Sequence, residues 1–345
     1  MTKVYVGMSG GVDSSLTAAL LVERGYEVTG VYMKNWTQDL PGMKCPWADD
    51  LADAKRVAVQ LGIDFKVFDF ENEYKHKVVD YMIYEYKNGR TPNPDIMCNQ
   101  EVKFKLFLET SLEDGADMIA TGHYARVKDG VLLQAEDANK DQTYFLYRVT
   151  GEALSKTLFP IGEFEKSKVR EMAEARGLYT ATKKDSQGIC FVGKVGIRDF
   201  LSQYVSPTPG NVIDKKTGKV LGTHDGSIFY TLGQRHGLEL GGGLPYYVVG
   251  KDMEKNEVYI TTDLNDLSLW KDSVELSNIS WINDAPAMGQ YDIRVRHRAK
   301  LVKAELSYDG DRVILKLENP ERAVASGQSV VIYDGDICLG GGIVS

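Results

Sequence analysis

The sequence predicts an α/β domain with a parallel sheet, followed by two mainly β domains. Over about the first two hundred residues, short apolar runs alternate with stretches of helical periodicity, as in a parallel sheet covered by helices. After about residue 206, short alternating strands are separated by turn pairs such as Asp225-Gly226 and Asp309-Gly310. We therefore expect domains over residues 1–206, 207–275 and 276–345.

Strands and helices alternate in the first domain. The expected strands cover residues 4–8, 28–33, 65–70 and 118–120. The expected helices cover residues 14–24, 49–61, 74–87, 102–112, 142–149 and 166–176. Gly25 and Gly62 directly follow the first two helices, where glycine commonly adopts the left-handed conformation that ends a helix.

The composition is that of an ordinary globular protein. With 43% hydrophobic and 26% charged residues, the chain is neither collagen-like nor intrinsically disordered. No apolar run reaches the roughly 18 residues of a membrane helix, and the first residues resemble neither a signal peptide nor a transit peptide. We therefore expect a cytoplasmic protein with no membrane partner.

The charge balance is mildly acidic. The chain has 41 lysines and arginines against 49 aspartates and glutamates, a net charge of −8. This balance argues against indiscriminate binding of nucleic acid, although it is compatible with a basic patch on one face.

A glycine-rich turn follows the first strand. The segment Gly7-Met8-Ser9-Gly10-Gly11-Val12-Asp13-Ser14 joins that strand to the first helix. A helix N-terminus presents unpaired backbone N–H groups and a positive dipole end, and glycines let an anion approach the backbone. The segment therefore predicts a phosphate-binding loop. The alternative is a tight turn in which Asp13 or Ser14 caps the helix.

The four cysteines fall into two classes. None forms a Cys-x-x-Cys pair, which argues against a zinc ribbon and many iron–sulfur sites. Cys45 and Cys338 are expected to be small buried hydrophobic residues, the latter in an apolar strand. Cys98 follows Asp95 by three residues in TPNPDIMCN, where two prolines predict an extended or turning backbone that displays side chains. Cys190 lies in the polar, glycine-containing segment DSQGICF.

The Ser-Gly-Gly-x-Asp-Ser pattern after a first strand resembles the PP-loop of the N-type ATP pyrophosphatases. These enzymes cleave ATP between its α and β phosphates and form an adenylated intermediate. The pattern is neither a Walker A loop nor a Rossmann fingerprint. The resemblance implies an ATP site formed by Gly7, Met8, Ser9, Gly10, Gly11, Val12, Asp13, Ser14, Met33 and Gly122. It also implies Mg²⁺ on the pyrophosphate near Asp13, with helix capping as that residue's alternative role.

Six segments together are similar to the tRNA-specific 2-thiouridylases. They are, in chain order, GMSGGVDSS, TPNPDIMCN, ATGHYAR, KDQTYFL, KKDSQGICF and YTLGQRHGL. The resemblance extends from about Val4 to Gln328. It implies an adenine nucleotide α-hydrolase-like domain, a small central domain and a C-terminal β-barrel. It also implies ATP-dependent 2-thiolation of the wobble uridine of tRNA, which yields AMP and pyrophosphate.

The same resemblance assigns the sulfur chemistry to three residues. It implies that Cys190 carries a persulfide, that Cys98 is a second nucleophile and that Asp95 is a general acid/base. Either Cys98 releases sulfide from the persulfide, or the persulfide attacks C2 of the uridine before Cys98 acts. Both routes leave a transient Cys98–Cys190 disulfide.

The expected partners are tRNA and a sulfur donor. The resemblance implies lysine, glutamate and glutamine tRNAs, with sulfur from a cysteine desulfurase or a relay protein. The implied tRNA contacts are Asn93, Pro94, Asp95, His123, Lys140, Asp141, Gln142, Arg294, Val295 and Gln328. An aromatic residue is usual at the position of Val295. The Gly233–His236 and Gly241–Gly243 segments match a loop near RNA, although tight β-turns explain their glycines equally well.

A basic strand is predicted from the residues alone. Arg294, Arg296, Arg298 and Lys300 alternate with less polar residues, which predicts four cations on one strand face that follow tRNA phosphates. A solvated barrel exterior is the alternative.

Two other functions are compatible with parts of the chain. A PP-loop amide-forming synthetase makes no use of Cys98 and Cys190. A non-catalytic RNA-binding barrel fused to a vestigial nucleotide fold has no need of an intact phosphate loop.

Overall fold

A five-stranded sheet, a four-stranded sheet and a closed barrel follow one another along the chain. The structure, a computed structural model, describes residues 1–39, 45–185, 196–238, 240–241 and 245–345. Cys190, Gly242 and Gly243 belong to segments with predicted roles and lie outside these residues. Among the described helices, none is long and apolar enough to cross a membrane.

The first sheet is parallel throughout. The strands of the first two hundred or so residues are β1 (Lys3–Gly7), β2 (Glu27–Lys34), β3 (Asp64–Asp69), β4 (Met118–Thr121), β5 (Arg126–Lys128), β6 (Val131–Leu133) and β7 (Thr157–Leu158). The sheet order is β3-β2-β1-β4-β7, so the chain continues on one side of β1 and then returns to the other. Such a reversal opens a crevice at the carboxyl ends of β1 and β4. The four predicted strands are confirmed, and β7 was not predicted.

Helices cover both faces of this sheet. They are α1 (Val12–Glu23), α2 (Trp47–Leu61), α3 (Glu71–Tyr74), α4 (Asp80–Lys87), α5 (Pro94–Met97), α6 (Phe107–Glu113), α7 (Thr143–Leu146), α8 (Gly151–Ser155), α9 (Lys166–Ala175) and α10 (Ile197–Leu201). Turns of π-helix over Lys75–Val79 and Cys98–Leu106 join α3 to α4 and α5 to α6. Gly25 (φ +80°) and Gly62 (φ +67°) end α1 and α2 in the predicted left-handed conformation.

Two helix predictions are wrong in extent. The helix predicted over 142–149 is only the four-residue α7, because Thr150 instead caps α8 by accepting a hydrogen bond from the Ala153 N–H. The helix predicted to begin at residue 102 begins at Pro94. Propensity alone did not place either end, since a capping residue overrides a hydrophobic pattern.

The second half of the chain is β, as predicted. The central sheet contains β8 (Gly210–Asp214), β9 (Val220–His224), β10 (Tyr247–Asp252) and β11 (Glu257–Thr261), in the order β10-β11-β8-β9. The barrel contains β12 (Trp270–Trp281), β13 (Gly289–Arg294), β14 (Val302–Asp309), β15 (Arg312–Arg322), β16 (Ser329–Asp334) and β17 (Ile337–Val344). Pairing of β12 with β17 closes the six strands into the expected barrel.

The α/β domain is joined to the barrel by strand pairing. The β5–β6 hairpin adds to β17, with Leu132 opposite Cys338. Cys338 is 1% exposed, and burial raises the pKa of its thiol. Cys45 is also buried. Both match the expectation of small hydrophobic residues.

The domain boundaries remain proposals. Strand β12 runs through the expected boundary between residues 275 and 276. We therefore propose that the central domain ends before β12, after β11. The expected boundary at residue 206 falls between α10 and β8.

All three parts of the chain meet at a cavity of about 160 Å³. Its lining includes Thr91, Lys251 and Ser326, and the Thr91 N–H donates to the Ser326 carbonyl at 2.9 Å. Thr91 leads directly into the helix that carries Cys98. The Thr91–Ser326 hydrogen bond therefore connects the chain just before that helix to the barrel. Lys251 Nζ donates to the Tyr230 carbonyl at 2.8 Å, and burial lowers the pKa of this lysine to about 8.

Lys251 is expected to make stability depend on alkaline pH. Its pKa is lower in the folded protein than the ordinary 10.5, so the unfolded chain binds the proton more tightly. Burial of the charged amine therefore costs stability below about pH 8, and this cost disappears as the pH rises towards 10.5. The thermal midpoint of the wild type should rise relative to that of Lys251→Met over this range. Parallel curves for the two proteins would contradict the prediction.

Candidate active site

The glycine-rich turn lies in the crevice at the carboxyl ends of β1 and β4. Gly10 has φ +72°, and a Cβ there would lie 2.3 Å from the Asp50 carbonyl oxygen. A Cβ on Gly122, just after β4, would lie 2.8 Å from the backbone nitrogen of Ser14. A side chain at either position would clash with backbone. Both glycines therefore allow a close approach of chain to chain around the turn.

The first turn of α1 begins at a glycine. Gly11 is the N-cap residue, and no side chain of the described residues caps the helix. The Ser14 hydroxyl instead donates to the Gly11 carbonyl at 3.2 Å and accepts from the Ser9 N–H at 3.2 Å. The alternative in which Asp13 or Ser14 caps the helix is therefore wrong. Because the first N–H groups of a helix have no acceptor within the helix, the N-terminus of α1 suits an anion.

Asp13 is held by two neighbours. Lys166 Nζ lies 2.7 and 2.8 Å from its carboxylate oxygens, and the Tyr124 hydroxyl donates to Oδ1 at 2.9 Å. Among the described residues, no group of three or more His, Cys, Asp or Glu side chains is arranged to bind a metal ion. Both carboxylate oxygens of Asp13 thus accept from Lys166 in this structure. The expected role of Asp13 near Mg²⁺ remains a prediction.

The other expected nucleotide residues lie around the same crevice. Gly7 ends β1, and Met33 lies near the end of β2. A Cβ on Gly7 would be 3.0 Å from Met33 Cε, so these two residues are in close contact. The fold thus brings Met33 and Gly122 to the glycine-rich turn from two different strands. Their role in nucleotide binding remains a prediction.

Cys98 lies on a helix and not in an extended loop. The Asn93 side chain caps α5 by accepting from the backbone N–H groups of Asp95 (3.0 Å) and Ile96 (3.3 Å), and Pro94 occupies the first helical position. Of the extended or turning backbone expected for this segment, the extended part ends at Asn93 (φ −112°, ψ 103°), and the chain from Pro94 to Cys98 is helical. Cys98 is fully buried, whereas Asp95 is half-buried. Three residues apart, the carboxylate and the thiol lie on one side of the helical turn.

His123 is also buried. Its Nδ1 lies 2.7 Å from the Thr121 hydroxyl and its Nε2 lies 3.5 Å from Lys103 Nζ. Its ring packs against those of Phe104 and Phe159. Burial, and then the positive charge of Lys103, lower the pKa of His123 well below 6.5. The imidazole is therefore neutral near pH 7, and its expected contact with tRNA remains a prediction.

The Lys140-Asp141-Gln142 segment contacts three different parts of the protein. Lys140 Nζ pairs with Asp185 at 2.9 Å, in the chain leading towards Cys190. The Gln142 side chain accepts from the Tyr124 backbone N–H at 2.8 Å. Asp141 accepts from Arg294 of the barrel at 2.8 Å. These three consecutive residues thus connect separate parts of the fold. Their expected contacts with tRNA remain a prediction.

The predicted basic strand face is wrong. Strand β13 ends at Arg294, and the chain turns through Arg298, which has φ +62°. Arg294 points inwards to Asp141, and Val295 is 2% exposed in the barrel core. The Gln328 side chain accepts from the Ala325 N–H at 3.2 Å and stabilises its own turn. Alternation alone did not distinguish a strand from a turn here.

Comparison with known families covers all three parts of the chain. The family described as "tRNA methyl transferase HUP domain" matches residues 2–194. Those described as "tRNA methyl transferase PRC-barrel domain" and "Aminomethyltransferase beta-barrel domain" match residues 198–262 and 271–344.

Curated relatives match nearly the whole chain. The tRNA-specific 2-thiouridylase MnmA of Bacillus subtilis (strain 168) is 47% identical over 353 residues, covering 99% of this chain and 95% of the relative. The protein of the same name from Halalkalibacterium halodurans is 48% identical, covering 99% of this chain and 94% of the relative. The chain belongs to the tRNA-specific 2-thiouridylase family. This confirms the resemblance carried by the six segments.

The domain descriptions and the relatives' names differ, since the former mention methyl transfer. The relatives decide the family, because their identity extends over 99% of the chain. Among solved structures, a 4-thiouridine synthetase–RNA complex with bound ATP superimposes with a TM-score of 0.36, at 16% identity over 59% of this chain and 50% of that chain. This similarity is too low to support an inference about the function of this 2-thiouridylase family member.

Three residues of this 2-thiouridylase family member were not assigned from the sequence. Lys166, Tyr124 and Asp185 surround the glycine-rich turn. Tyr124 and Asp185 lie within the segments ATGHYAR and KKDSQGICF, but nothing local indicates what they contact. Lys166 is 153 residues from Asp13 in sequence, so only the packing of α9 against α1 brings the two together.

Proposed function

We propose that this chain is an ATP-dependent tRNA-uridine 2-sulfurtransferase that converts the wobble uridine of tRNA to 2-thiouridine. The observation that carries the proposal is the uncapped α1 N-terminus behind a glycine turn, in a chain whose near-full-length relatives are named 2-thiouridylases. An anion site of this kind suits a nucleotide phosphate. ATP is therefore the proposed co-substrate, with AMP and pyrophosphate as products.

The phosphate site supplies the activation step. Uridine O2 is a poor leaving group, so direct displacement by sulfur is slow. Attack of O2 on the α-phosphorus of ATP breaks the bond to the bridging oxygen, releases pyrophosphate and leaves an O-adenylated uridine. The N–H groups and dipole of α1 stabilise the negative charge on the phosphates during this step. AMP can then depart from C2.

Sulfur is proposed to arrive from a persulfide on Cys190. A persulfide is more acidic than a thiol with a pKa of about 8.5, so more of it is in the nucleophilic anionic form at neutral pH. Either Cys98 attacks the persulfide and releases sulfide, or the terminal sulfur bonds to C2 and Cys98 then cleaves the S–S bond. Both orders end in a Cys98–Cys190 disulfide, which an external reductant must reduce before the next turnover.

Asp95 is the proposed general acid/base. Its half-buried carboxylate lies one helical turn from Cys98, which supports proton exchange with that thiol or with a base bound beside it. The backbone of Asn93 and Pro94 begins the same turn. These three residues are the proposed contacts with the target uridine.

The proposed partners are lysine, glutamate and glutamine tRNAs, and a cysteine desulfurase or sulfur-relay protein, with the cytoplasm as the site of action. Further tRNA contacts are proposed at His123, Lys140, Asp141, Gln142, Arg294, Val295 and Gln328. For Asp141 and Arg294, contact with RNA requires the exchange of an existing ion pair.

The experiment that tests the function is mass spectrometry of nucleosides from unmodified tRNA. The tRNA is incubated with the protein, ATP, magnesium and a sulfur donor, and Cys190→Ala is treated in parallel. We expect 2-thiouridine only when both ATP and Cys190 are present. ATP turnover without thiolation, unchanged in Cys190→Ala, would instead favour an amide-forming synthetase. The absence of both ATP turnover and thiolation would favour a non-catalytic RNA-binding protein.

A further inference from the structure

Lys166 is placed where a helix does not favour a cation. It is the first residue of α9, and the positive end of a helix dipole repels an ammonium group. Its backbone N–H donates to Asp137 at 3.0 Å, and its side chain is only 12% exposed. The position is therefore fixed by contacts on both the backbone and the side chain.

The ammonium group of Lys166 bridges two carboxylates beside the glycine-rich turn. Its Nζ lies 2.7 Å from Asp13 Oδ1 and 3.0 Å from Asp185 Oδ1. It also lies 5.4 Å from the centre of the Tyr124 ring, whose hydroxyl donates to Asp13. Asp13 is the second residue of α1, so the bridge brings a positive charge to the open N-terminus of that helix.

The negative charge of Asp185 is paired with other cations besides Lys166. Lys140 Nζ lies 2.9 Å and Arg170 lies 2.7 Å from the same carboxylate. The pKa of Asp185 is lowered to about 2 against its burial, because Lys140 and Lys166 donate to the charged form. If Lys166 releases Asp185, two cations still pair with that carboxylate. An ammonium has three N–H donors, so Lys166 can retain Asp13 and bind one further acceptor.

An anionic phosphate at the α1 N-terminus meets the negative charge of Asp13. Unless a cation lies between them, this repulsion weakens binding. Most of the charge of ATP at neutral pH lies on its β and γ phosphates, and cleavage between α and β adds charge to the departing pyrophosphate.

Resting on the proposed use of ATP, we propose that Lys166 is a pyrophosphate-binding residue of this site. On nucleotide binding it exchanges its bond to Asp185 for an oxygen of the β or γ phosphate, while Asp13 keeps it in place. The role of Asp13 is then to position this lysine. In the adenylation step, the same ammonium stabilises the leaving pyrophosphate.

The test compares three ligands on the full chain by titration calorimetry: ATP, AMP and inorganic pyrophosphate. In Lys166→Met, affinity for ATP and pyrophosphate should fall by about 10- to 100-fold, as for loss of a charged hydrogen bond, whereas AMP should change by less than about threefold. Lys168→Met is the matched control, because Lys168 lies on the same helix and pairs only with the exposed Glu171 among its described ion pairs. It should bind all three ligands like the wild type.

Lys166→Arg tests the role without removing the charge. We expect it to retain pyrophosphate binding within about tenfold of the wild type. If Lys166→Met does not fold, the three ligands are compared on Lys166→Arg instead. Equal weakening of ATP and AMP, or unchanged pyrophosphate affinity, would overturn the inference and indicate a structural role. Selective loss of pyrophosphate binding in a protein that thiolates no tRNA would support the inference while refuting the proposed thiolation.

Discussion

Replacement of Cys98 by alanine is expected to reduce thiolation of tRNA by about three orders of magnitude or more, as loss of a nucleophile usually does. Alanine fits the fully buried site with the loss of one sulfur atom, so the fold should persist at a cost of about 1 kcal/mol. ATP binding should be unchanged, because the phosphate turn lies on β1 and α1 and not on the helix of Cys98. The measurement is 2-thiouridine formed in a single turnover, together with the dissociation constant for ATP.

Cys338→Ala is the matched control for this variant. Cys338 is equally buried, but it lies in the barrel, paired with the β6 strand. It should lose comparable stability and keep full thiolation. Thiolation by Cys98→Ala at the wild-type rate would remove Cys98 from the mechanism.

Replacement of Arg294 by methionine is expected to lower the free energy of unfolding by about 3 to 5 kcal/mol, because it leaves the charge of Asp141 buried without its cation. The Asp141 side chain is 1% exposed, and the side chains of Thr143 and Arg294 donate to it at 2.8 Å each. The guanidinium also stacks over the ring of Tyr333. Denaturant titration of the wild type and the variant provides the measurement.

A double-mutant cycle with Asp141→Asn isolates the pair. The double variant should be more stable than the two separate losses predict, because neither charge is then left unpaired. Arg312→Met is the control, since Arg312 pairs with Glu275 at the surface and should contribute about 0 to 1 kcal/mol. A loss at Arg294 no larger than that at Arg312 would refute the buried-pair account. The tRNA affinity of the folded variants then shows whether Arg294 and Asp141 contact tRNA directly or only stabilise the fold.

Short segments were enough to predict much of this protein. The alternation of apolar runs with helical periods predicted four of the five strands of the parallel sheet, because burial on both faces imposes that pattern. The glycine-rich turn was predicted as a phosphate site from Gly10, Gly11 and the helix that follows. The start of the Cys98 helix is also readable from the sequence, because Asn93, Pro94 and Asp95 form an N-cap signature, whereas the two prolines alone predict only an extended or turning backbone.

The partners of the charged residues required the tertiary structure. Lys166 and Asp13 are 153 residues apart, and so are Arg294 and Asp141. A charge in a sequence is equally compatible with solvent, with an ion pair or with RNA, and only packing decides which of these it meets. Arg294 belonged to a regular alternation of cations, yet β13 ends at that residue and the side chain turns inwards. Local periodicity thus predicts the elements and the chemistry of short motifs, whereas long-range packing decides which charges remain available to a substrate.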